Sequence, residues 1–180
     1  MDEVATGDAE GDVGVASTLD MFREHEQVRQ MLVSIPTAVK LPITAEKAFE
    51  DLKTLLDEYQ EQPHLMDPYL EDLLGLLVAL TRDNTQTTEV TSQGFKYLWL
   101  FTKVRGYKTI VKKLPHEVKD LLPVLKLLES EEVKSDFYGS YVLLMWISII
   151  VYMPFNMMGF DTTAIAPQEG DTVQPTVVER

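Results

Sequence analysis

The sequence contains no cysteine among its 180 residues. This absence excludes a disulfide framework, a thiolate metal site and a cysteine nucleophile, and it weakly favours a reducing compartment. Basic residues are also scarce, because 16 lysines and arginines stand against 29 acidic residues, which gives a net charge of −13. Such an excess of negative charge argues against general nucleic-acid binding, since the phosphate backbone would be repelled.

Motifs that carry enzyme chemistry are missing as well. No GxxxxGK[ST], GxGxxG, GxSxG or HExxH string occurs, so no pattern indicates a nucleotide site or a hydrolase. The three histidines, His25, His64 and His116, lie far apart and lack partners at helical spacing, which disfavours a metal site. We therefore predict a chain that is not an enzyme and that uses no cofactor or metal.

The acidity is concentrated at the two ends of the chain. Residues 1–20 contain six acidic side chains and no basic one, whereas residues 161–180 contain four acidic side chains and one arginine. Both ends are otherwise rich in small residues, threonine and valine, a composition typical of solvated tails. We predict an acidic disordered tail over residues 1–17, a helical domain over 18–158, and a polar tail over 159–180 that enters a further repeat.

Helix signals recur between these tails, while strand signals are nearly absent. Apolar residues at three- and four-residue steps predict helices at residues 19–33, 44–62, 69–82, 92–105, 115–130 and from 136 onward. The predicted helix starts are marked by capping residues or by a proline at the first helical position: Ser17 or Thr18, Thr44, Asp67 with Pro68, Pro115, and Asp136.

Three residues are predicted to interrupt these helices. Pro63 ends one helix, Gly106 breaks or bends another, and Pro123 should kink or restart a third because it lacks an amide hydrogen. The helices then pair at residues 44–82, 88–129 and from 135 onward, a period close to 40 residues. That period predicts an all-α armadillo/HEAT-like solenoid of antiparallel helix hairpins. An unrelated helical bundle is the alternative.

The stretch "YVLLMWISIIVYMPF" lies in a window, residues 137–160, that contains no charged side chain. A membrane span needs about 20 apolar residues, whereas the dense run of residues 141–153 has only 13 before Pro154. We therefore predict a core helix of the solenoid, with Tyr141 and Trp146 among the core aromatics, rather than a membrane anchor. Because only a polar tail follows, we expect one face to be uncovered, the chain to be the opening part of a longer protein, and the isolated chain to bind a hydrophobic dye.

One cluster of basic residues interrupts the acidic composition. Five bases fall within residues 103–113, and no acidic residue lies between Glu89 and Glu117. This cluster is a candidate surface for an acidic partner, whose rate of encounter it would raise. Alternatively it is a solvated helix end whose charges suit the negative pole of the preceding helix. The cluster consists of Lys103, Arg105, Lys108, Lys112 and Lys113.

Three strings resemble a known family in their order and spacing. They are "YQEQPHLMDPYLEDLLGLL", "FKYLWLFTKVRGYKTIVKKLPHEVKDLLPVL" and "YVLLMWISIIVYMPFNM". Together they resemble the N-terminal region of the tubulin-folding cofactor D, or tubulin-specific chaperone D, family over about residues 49–155. The acidic residues 1–20 match poorly, and residues 159–180 match only loosely.

The resemblance implies a long cytoplasmic, cytoskeleton-associated armadillo/HEAT-type protein that captures β-tubulin. It also implies that the protein acts with other tubulin-folding cofactors and an Arf-like small GTPase. Together they would assemble or disassemble the αβ-tubulin heterodimer and stimulate GTP hydrolysis by tubulin. No catalytic residue is implied by these strings. We therefore expect a non-catalytic N-terminal interaction fragment that holds β-tubulin. The alternatives are a generic helical-repeat scaffold whose tubulin contacts lie in downstream repeats, and a small membrane-anchored helical protein.

Overall fold

The structure, a computed structural model, describes residues 20–152 and contains no strand in that part of the chain. The helices in this range, in chain order, are α1 (His25–Val33), α2 (Ile35–Ala38), α3 (Pro42–Asp57), α4 (Leu70–Arg82), α5 (Thr88–Arg105), α6 (Tyr107–Ile110), α7 (Leu121–Glu129), α8 (Glu131–Lys134) and α9 (Phe137–Tyr152). Short 3₁₀ turns occupy Pro63–Met66, Val111–Lys113 and Val118–Asp120.

The long helices pair into hairpins that stack in two layers. Helix α1 contacts α3, α4 packs along α5, and α7 packs along α9. Between hairpins, α5 packs against both α3 and α9 in one layer, and α1 packs against α4 in the other. This stacking, in which each hairpin buries its face against the next, is that of an armadillo/HEAT-like solenoid. The predicted fold class is confirmed.

The predicted hairpin boundaries are wrong by one helix. We expected the helices within residues 44–82 to pair with each other, but α4 instead packs most extensively with α5, which follows it after a short connection. The second helix of the expected pair at 88–129 likewise packs with α9. Spacing alone cannot distinguish these pairings, because each helix of a solenoid also touches a neighbouring repeat.

Several predicted helix starts are displaced because the expected capping residues have other partners. Helix α3 begins at Pro42, and the Thr44 hydroxyl donates to the carbonyl of Leu41 at 2.7 Å from inside the first turn. Helix α4 begins at Leu70 rather than after Asp67, whose carboxylate binds Arg105. Pro115 lies outside any helix, and its carbonyl accepts a hydrogen bond from the Trp146 indole.

The first helix also begins later than predicted. The expected helix at residues 19–33 is observed only from His25, because the preceding chain is not helical and inserts Phe22 into the core. The Phe22 ring packs edge-on against Tyr59 with 4.8 Å between ring centroids, and the Tyr59 hydroxyl donates to Glu24. The predicted caps Ser17 and Thr18, and the tails at 1–17 and 159–180, lie outside the described residues.

Three other local predictions are confirmed. Gly106 ends α5 with a φ of +94°, a conformation that residues with a side chain rarely adopt. Pro123 lies in the first turn of α7, so the helix restarts at Leu121, and the missing amide hydrogen costs no internal bond. The Asp136 carboxylate accepts the backbone N–H of Tyr138 at 3.0 Å and so caps α9.

The charge-free stretch forms α9 and contributes to the core of the solenoid. Val142, Leu143, Trp146 and Ile150 are fully buried, and α9 packs against α5, α7 and α8. Tyr141, by contrast, is 39% exposed, so its predicted place in the core is wrong. Within residues 20–152 no helix combines the length and apolar character needed to cross a bilayer.

Candidate interaction surface

One residue of the predicted basic cluster, Arg105, lies in a salt bridge at the end of α5. Its guanidinium binds both carboxylate oxygens of Asp67, with 2.7 Å between Nη2 and Oδ2. The bidentate hydrogen bonds from Arg105, with the attraction of its charge, lower the pKa of Asp67. This pair joins α5 to the turn before α4, so Arg105 has a structural partner of its own.

Two lysines of the cluster have weaker contacts. The Lys113 ammonium lies 3.5 Å from the carboxylate of Glu71, an exposed ion pair of the kind that contributes little to stability. The Lys103 ammonium lies 5.8 Å from the centre of the Trp99 ring, within the range of a cation–π contact. Both side chains remain accessible to a partner.

Lys108 and Lys112 are exposed, and within residues 20–152 no carboxylate pairs with either of them. The two lysines differ in whether they line a nearby depression. Lys112 lines a depression together with Lys113, whereas Lys108 does not. Lys112 and Lys113 therefore line a groove, and Lys103, Arg105 and Lys108 are not among the residues that line it.

The groove lies between α4 and α7, two helices that make little direct contact. It consists of two open depressions, of about 630 and 710 Å³, which adjoin because Arg82 and Lys119 line both. We call it the α4–α7 groove. Its principal lining residues are Glu71, Arg82, Lys112, Lys113, Pro115, His116, Glu117, Lys119, Asp120, Leu122, Pro123, Lys126 and Leu127.

Arg82 is at the centre of the α4–α7 groove and is fixed from two sides. Its Nη1 atom donates to the buried carboxylate of Asp120 at 2.8 Å, and its guanidinium carbon lies 6.0 Å from the centre of the Trp146 ring. Asp120 also accepts the backbone N–H of Glu117 at 3.1 Å. The Arg82 side chain is still 32% exposed, so it is a positioned cation that a ligand can reach.

Bases outnumber acids in this groove. Its five bases are Arg82, Lys112, Lys113, Lys119 and Lys126, against the three acids Glu71, Glu117 and Asp120. Each acid is already bound to one of those bases, through the Lys113–Glu71, Lys119–Glu117 and Arg82–Asp120 pairs. The groove is therefore a positively charged region on a chain whose net charge is −13.

Sequence reasoning missed three of these bases: Arg82, Lys119 and Lys126. They lie up to 44 positions apart, on α4, on a 3₁₀ turn and on α7, and only the stacking of hairpins brings them together. One signal was present, because Lys119 and Lys126 are seven residues apart within the helix predicted at residues 115–130, a spacing that would place them on one helical face. The predicted break at Pro123 between them obscured it.

A second surface is apolar and runs along α9. Phe137, Tyr141, Leu144 and Val151 recur at three-, four- and seven-residue steps, so they occupy one face of the helix. All four are exposed, as is Tyr152 beside them, and Leu144 is 58% exposed. We call these five residues the α9 stripe. Within residues 20–152, this exposure agrees with the expected uncovered face.

The remaining candidates for chemistry have ordinary structural partners. The Nδ1 atoms of His25 and His116 lie 3.0 and 2.8 Å from the backbone carbonyls of Phe22 and Leu114. A cavity of about 360 Å³ is lined by Asp83, Glu132 and Asp136 with several hydroxyl groups. In residues 20–152, however, no three histidine or carboxylate side chains are arranged to hold a metal ion.

Comparison with known proteins agrees with the architecture. Residues 56–180, more than half of the chain, match the family described as "Tubulin-specific chaperone D-like, ARM repeat". A curated relative, Tubulin-specific chaperone D of Dictyostelium discoideum, is 36% identical over 98 residues, which cover 42% of this chain and 7% of that protein. No solved structure shows significant similarity. The chain therefore belongs to the tubulin-specific chaperone D-like family of ARM-repeat proteins.

Proposed function

We propose that this chain is a helical-repeat segment of a tubulin-folding cofactor and that it holds β-tubulin through surface complementarity. The observation that carries the proposal is the family match over residues 56–180, which includes helices α4 to α9 and the α4–α7 groove. Solenoids present extended surfaces to large partners, and the described hairpins offer both a charged groove and the apolar α9 stripe. We propose that the segment is not an enzyme and acts by holding its partner.

The wider activity proposed for the protein follows from the same family. We propose that the protein acts with other tubulin-folding cofactors and an Arf-like small GTPase in assembly and disassembly of the αβ-tubulin heterodimer. Any stimulation of GTP hydrolysis by tubulin would arise because the solenoid positions its partners. The corresponding location is the cytoplasm, in association with the cytoskeleton. Since the match covers 7% of the curated relative, these activities belong to a much longer polypeptide.

The exposed lysines of the cluster support an electrostatic contribution to this binding. Lys103, Lys108 and Lys112 are exposed, so an acidic partner can approach them without breaking the Arg105–Asp67 pair. Charges of this kind raise the rate of association more than the final affinity. We therefore propose that the association rate with tubulin falls as salt screens these lysines.

Binding of purified αβ-tubulin to the 180-residue chain tests the proposal directly. The tagged chain is mixed with tubulin and analysed by size-exclusion chromatography and by co-sedimentation at moderate salt. Co-elution, with crosslinks mapped by mass spectrometry to β-tubulin rather than α-tubulin, is the expected result. Separate elution of a folded chain and tubulin at micromolar concentrations would contradict it.

A second candidate is a structural segment whose parent protein contacts tubulin elsewhere. The short coverage of the curated relative, 7% of its length, favours this alternative because most of any binding surface would lie in other repeats. The two candidates differ in a competition experiment with the full-length protein. If the 180-residue chain displaces full-length protein from tubulin, the segment itself binds; if a large excess has no effect, the scaffold role is correct.

A further inference from the structure

We propose that the α4–α7 groove binds an extended acidic peptide segment of a partner protein. The proposal deepens the proposed function, on which it rests only for the identity of the protein that carries the segment. The groove is the place where two stacked hairpins leave their helices α4 and α7 apart, so it is open along its length. An extended peptide fits such a cleft without rearrangement of the hairpins.

The charge of the groove selects the chemistry of its ligand. Its five bases exceed its three acids, and each of those acids is already bound to a groove base. Lys112 on one wall pairs with no carboxylate in the described part of the chain and is exposed, as is Lys126 on the other wall. An approaching carboxylate therefore meets an accessible ammonium group in each of the two depressions. The negative net charge of the chain disfavours such a ligand elsewhere.

Arg82 gives the groove a fixed central anchor. Its guanidinium is held by Asp120 and lies beside the Trp146 ring, so binding requires little loss of side-chain freedom. An arginine donates several hydrogen bonds in a planar fork that suits a carboxylate. A ligand carboxylate can therefore bind Arg82 while its neighbours along the peptide reach Lys112 and Lys126.

The apolar part of the groove favours a peptide over a nucleic acid. Pro115, Leu122, Pro123 and Leu127 line it between the basic residues and can contact the aliphatic parts of a peptide. Single-stranded nucleic acids bind through aromatic residues on which bases stack, and no phenylalanine, tyrosine or tryptophan lines either depression.

Fluorescence anisotropy with a synthetic peptide tests the proposal. The probe is a fluorescein-labelled peptide of about ten alternating glutamates and glycines, which spans about 33 Å when extended. Titration with the 180-residue chain should give saturable binding that weakens between about 50 and about 300 mM salt, because salt screens exposed charges. Absence of saturable binding at low salt would overturn the proposal.

A pair of charge-matched variants locates the site. Lys112→Glu with Lys126→Glu reverses two groove charges, and Lys40→Glu with Lys47→Glu reverses two exposed charges in the first hairpin, outside the groove. We expect the groove variant to weaken binding about tenfold and the control about twofold or less, because close charge pairs contribute more than distant ones. Equal weakening would overturn the proposal. Circular dichroism verifies folding, and Lys112→Gln with Lys126→Gln provides a milder second groove variant.

Two further results distinguish this inference from its alternatives. An oligothymidylate of equal charge that binds more tightly than the peptide would show that the groove prefers nucleic acid and would overturn the proposal. Peptide binding without tubulin binding would support the groove assignment and contradict the proposed function. If the chain binds tubulin but no peptide, and the groove variant binds tubulin equally well, the result would support the proposed function and overturn the groove assignment.

Discussion

Helices α5 and α9 are neighbours in the same layer and of similar length, but they differ in how composition relates to burial. Helix α5 carries Lys96, Lys103 and Arg105, yet its Phe95 and Phe101 are fully buried. Helix α9 has no charged side chain, yet Leu144 is 58% and Tyr152 is 84% exposed. Position in the stack, rather than the apolar content of a helix, therefore determines which side chains are covered.

The difference arises from the number of neighbours each helix has. Helix α5 packs against α3 on one side, α9 on the other, and α4 within its own hairpin. Helix α9 packs against α5, α7 and α8, and no described helix covers the α9 stripe. The buried face of α9 should therefore contribute as much stability as the core of α5, while the α9 stripe should contribute almost none.

The largest expected effect is at the buried face of α9. Trp146→Ala removes a fully buried indole, its hydrogen bond to Pro115 and its contact with Arg82. We expect a loss of about 3–5 kcal/mol in the free energy of unfolding, as is usual for a large aromatic replaced by alanine in a core. Urea denaturation followed by circular dichroism measures this change.

Tyr141→Ala on the α9 stripe is the matched control. Tyr141 is 39% exposed and lies on the same helix, so its removal should cost less than about 1 kcal/mol. Equal destabilisation by the two substitutions would contradict the expected difference between the buried face of α9 and the α9 stripe. That result would mean that the α9 stripe is covered in solution.

An intermediate effect is expected at Gly94, where α5 approaches α4 closely. A Cβ atom at Gly94 would lie 2.8 Å from Cγ2 of Thr81, a buried residue whose hydroxyl donates to the Val78 carbonyl at 3.2 Å. Gly94→Ala should therefore destabilise the chain by about 1–2 kcal/mol despite the higher helix propensity of alanine. Thermal or urea unfolding measures the difference.

Two controls isolate the steric cause at Gly94. Gly75→Ala meets no atom within 4 Å and should stabilise the chain by about 0.5–1 kcal/mol, because alanine favours the helix. Thr81→Ser removes the clashing methyl group, so Gly94→Ala should cost less in that background. A gain in stability from Gly94→Ala would show that the two helices are less tightly packed than in the structure.

The sequence predicted the fold class correctly because the apolar spacing and the glycine and proline positions were informative. Gly106, Pro123 and Asp136 all interrupt or cap helices as expected. Asp67 and Thr44 did not act as N-caps, since a capping residue can be recruited by a distant partner such as Arg105. Pairing of helices into hairpins also could not be derived, because it depends on contacts between repeats.

Less of the candidate site could be predicted. The basic cluster was visible as a local run, but only Lys112 and Lys113 of its five residues line the α4–α7 groove. The central residue of the α4–α7 groove, Arg82, lies in another segment of the sequence and gave no local signal. Charge runs identify residues that are near in sequence, whereas this groove is built from residues that only the solenoid brings together.

The smallest expected effect on stability is at the α9 stripe, where the readout is dye binding. Leu144→Glu places a charge at a position that is 58% exposed and should change the free energy of unfolding by less than about 0.5 kcal/mol. It should nevertheless lower the fluorescence of a bound hydrophobic dye, because it interrupts a continuous apolar surface. Leu41→Glu, at a leucine that is 62% exposed but outside the stripe, is the control and should lower fluorescence less. If both variants reduce the signal equally, or if the unsubstituted chain binds no dye, the α9 stripe is not an accessible surface and α9 is covered as fully as α5.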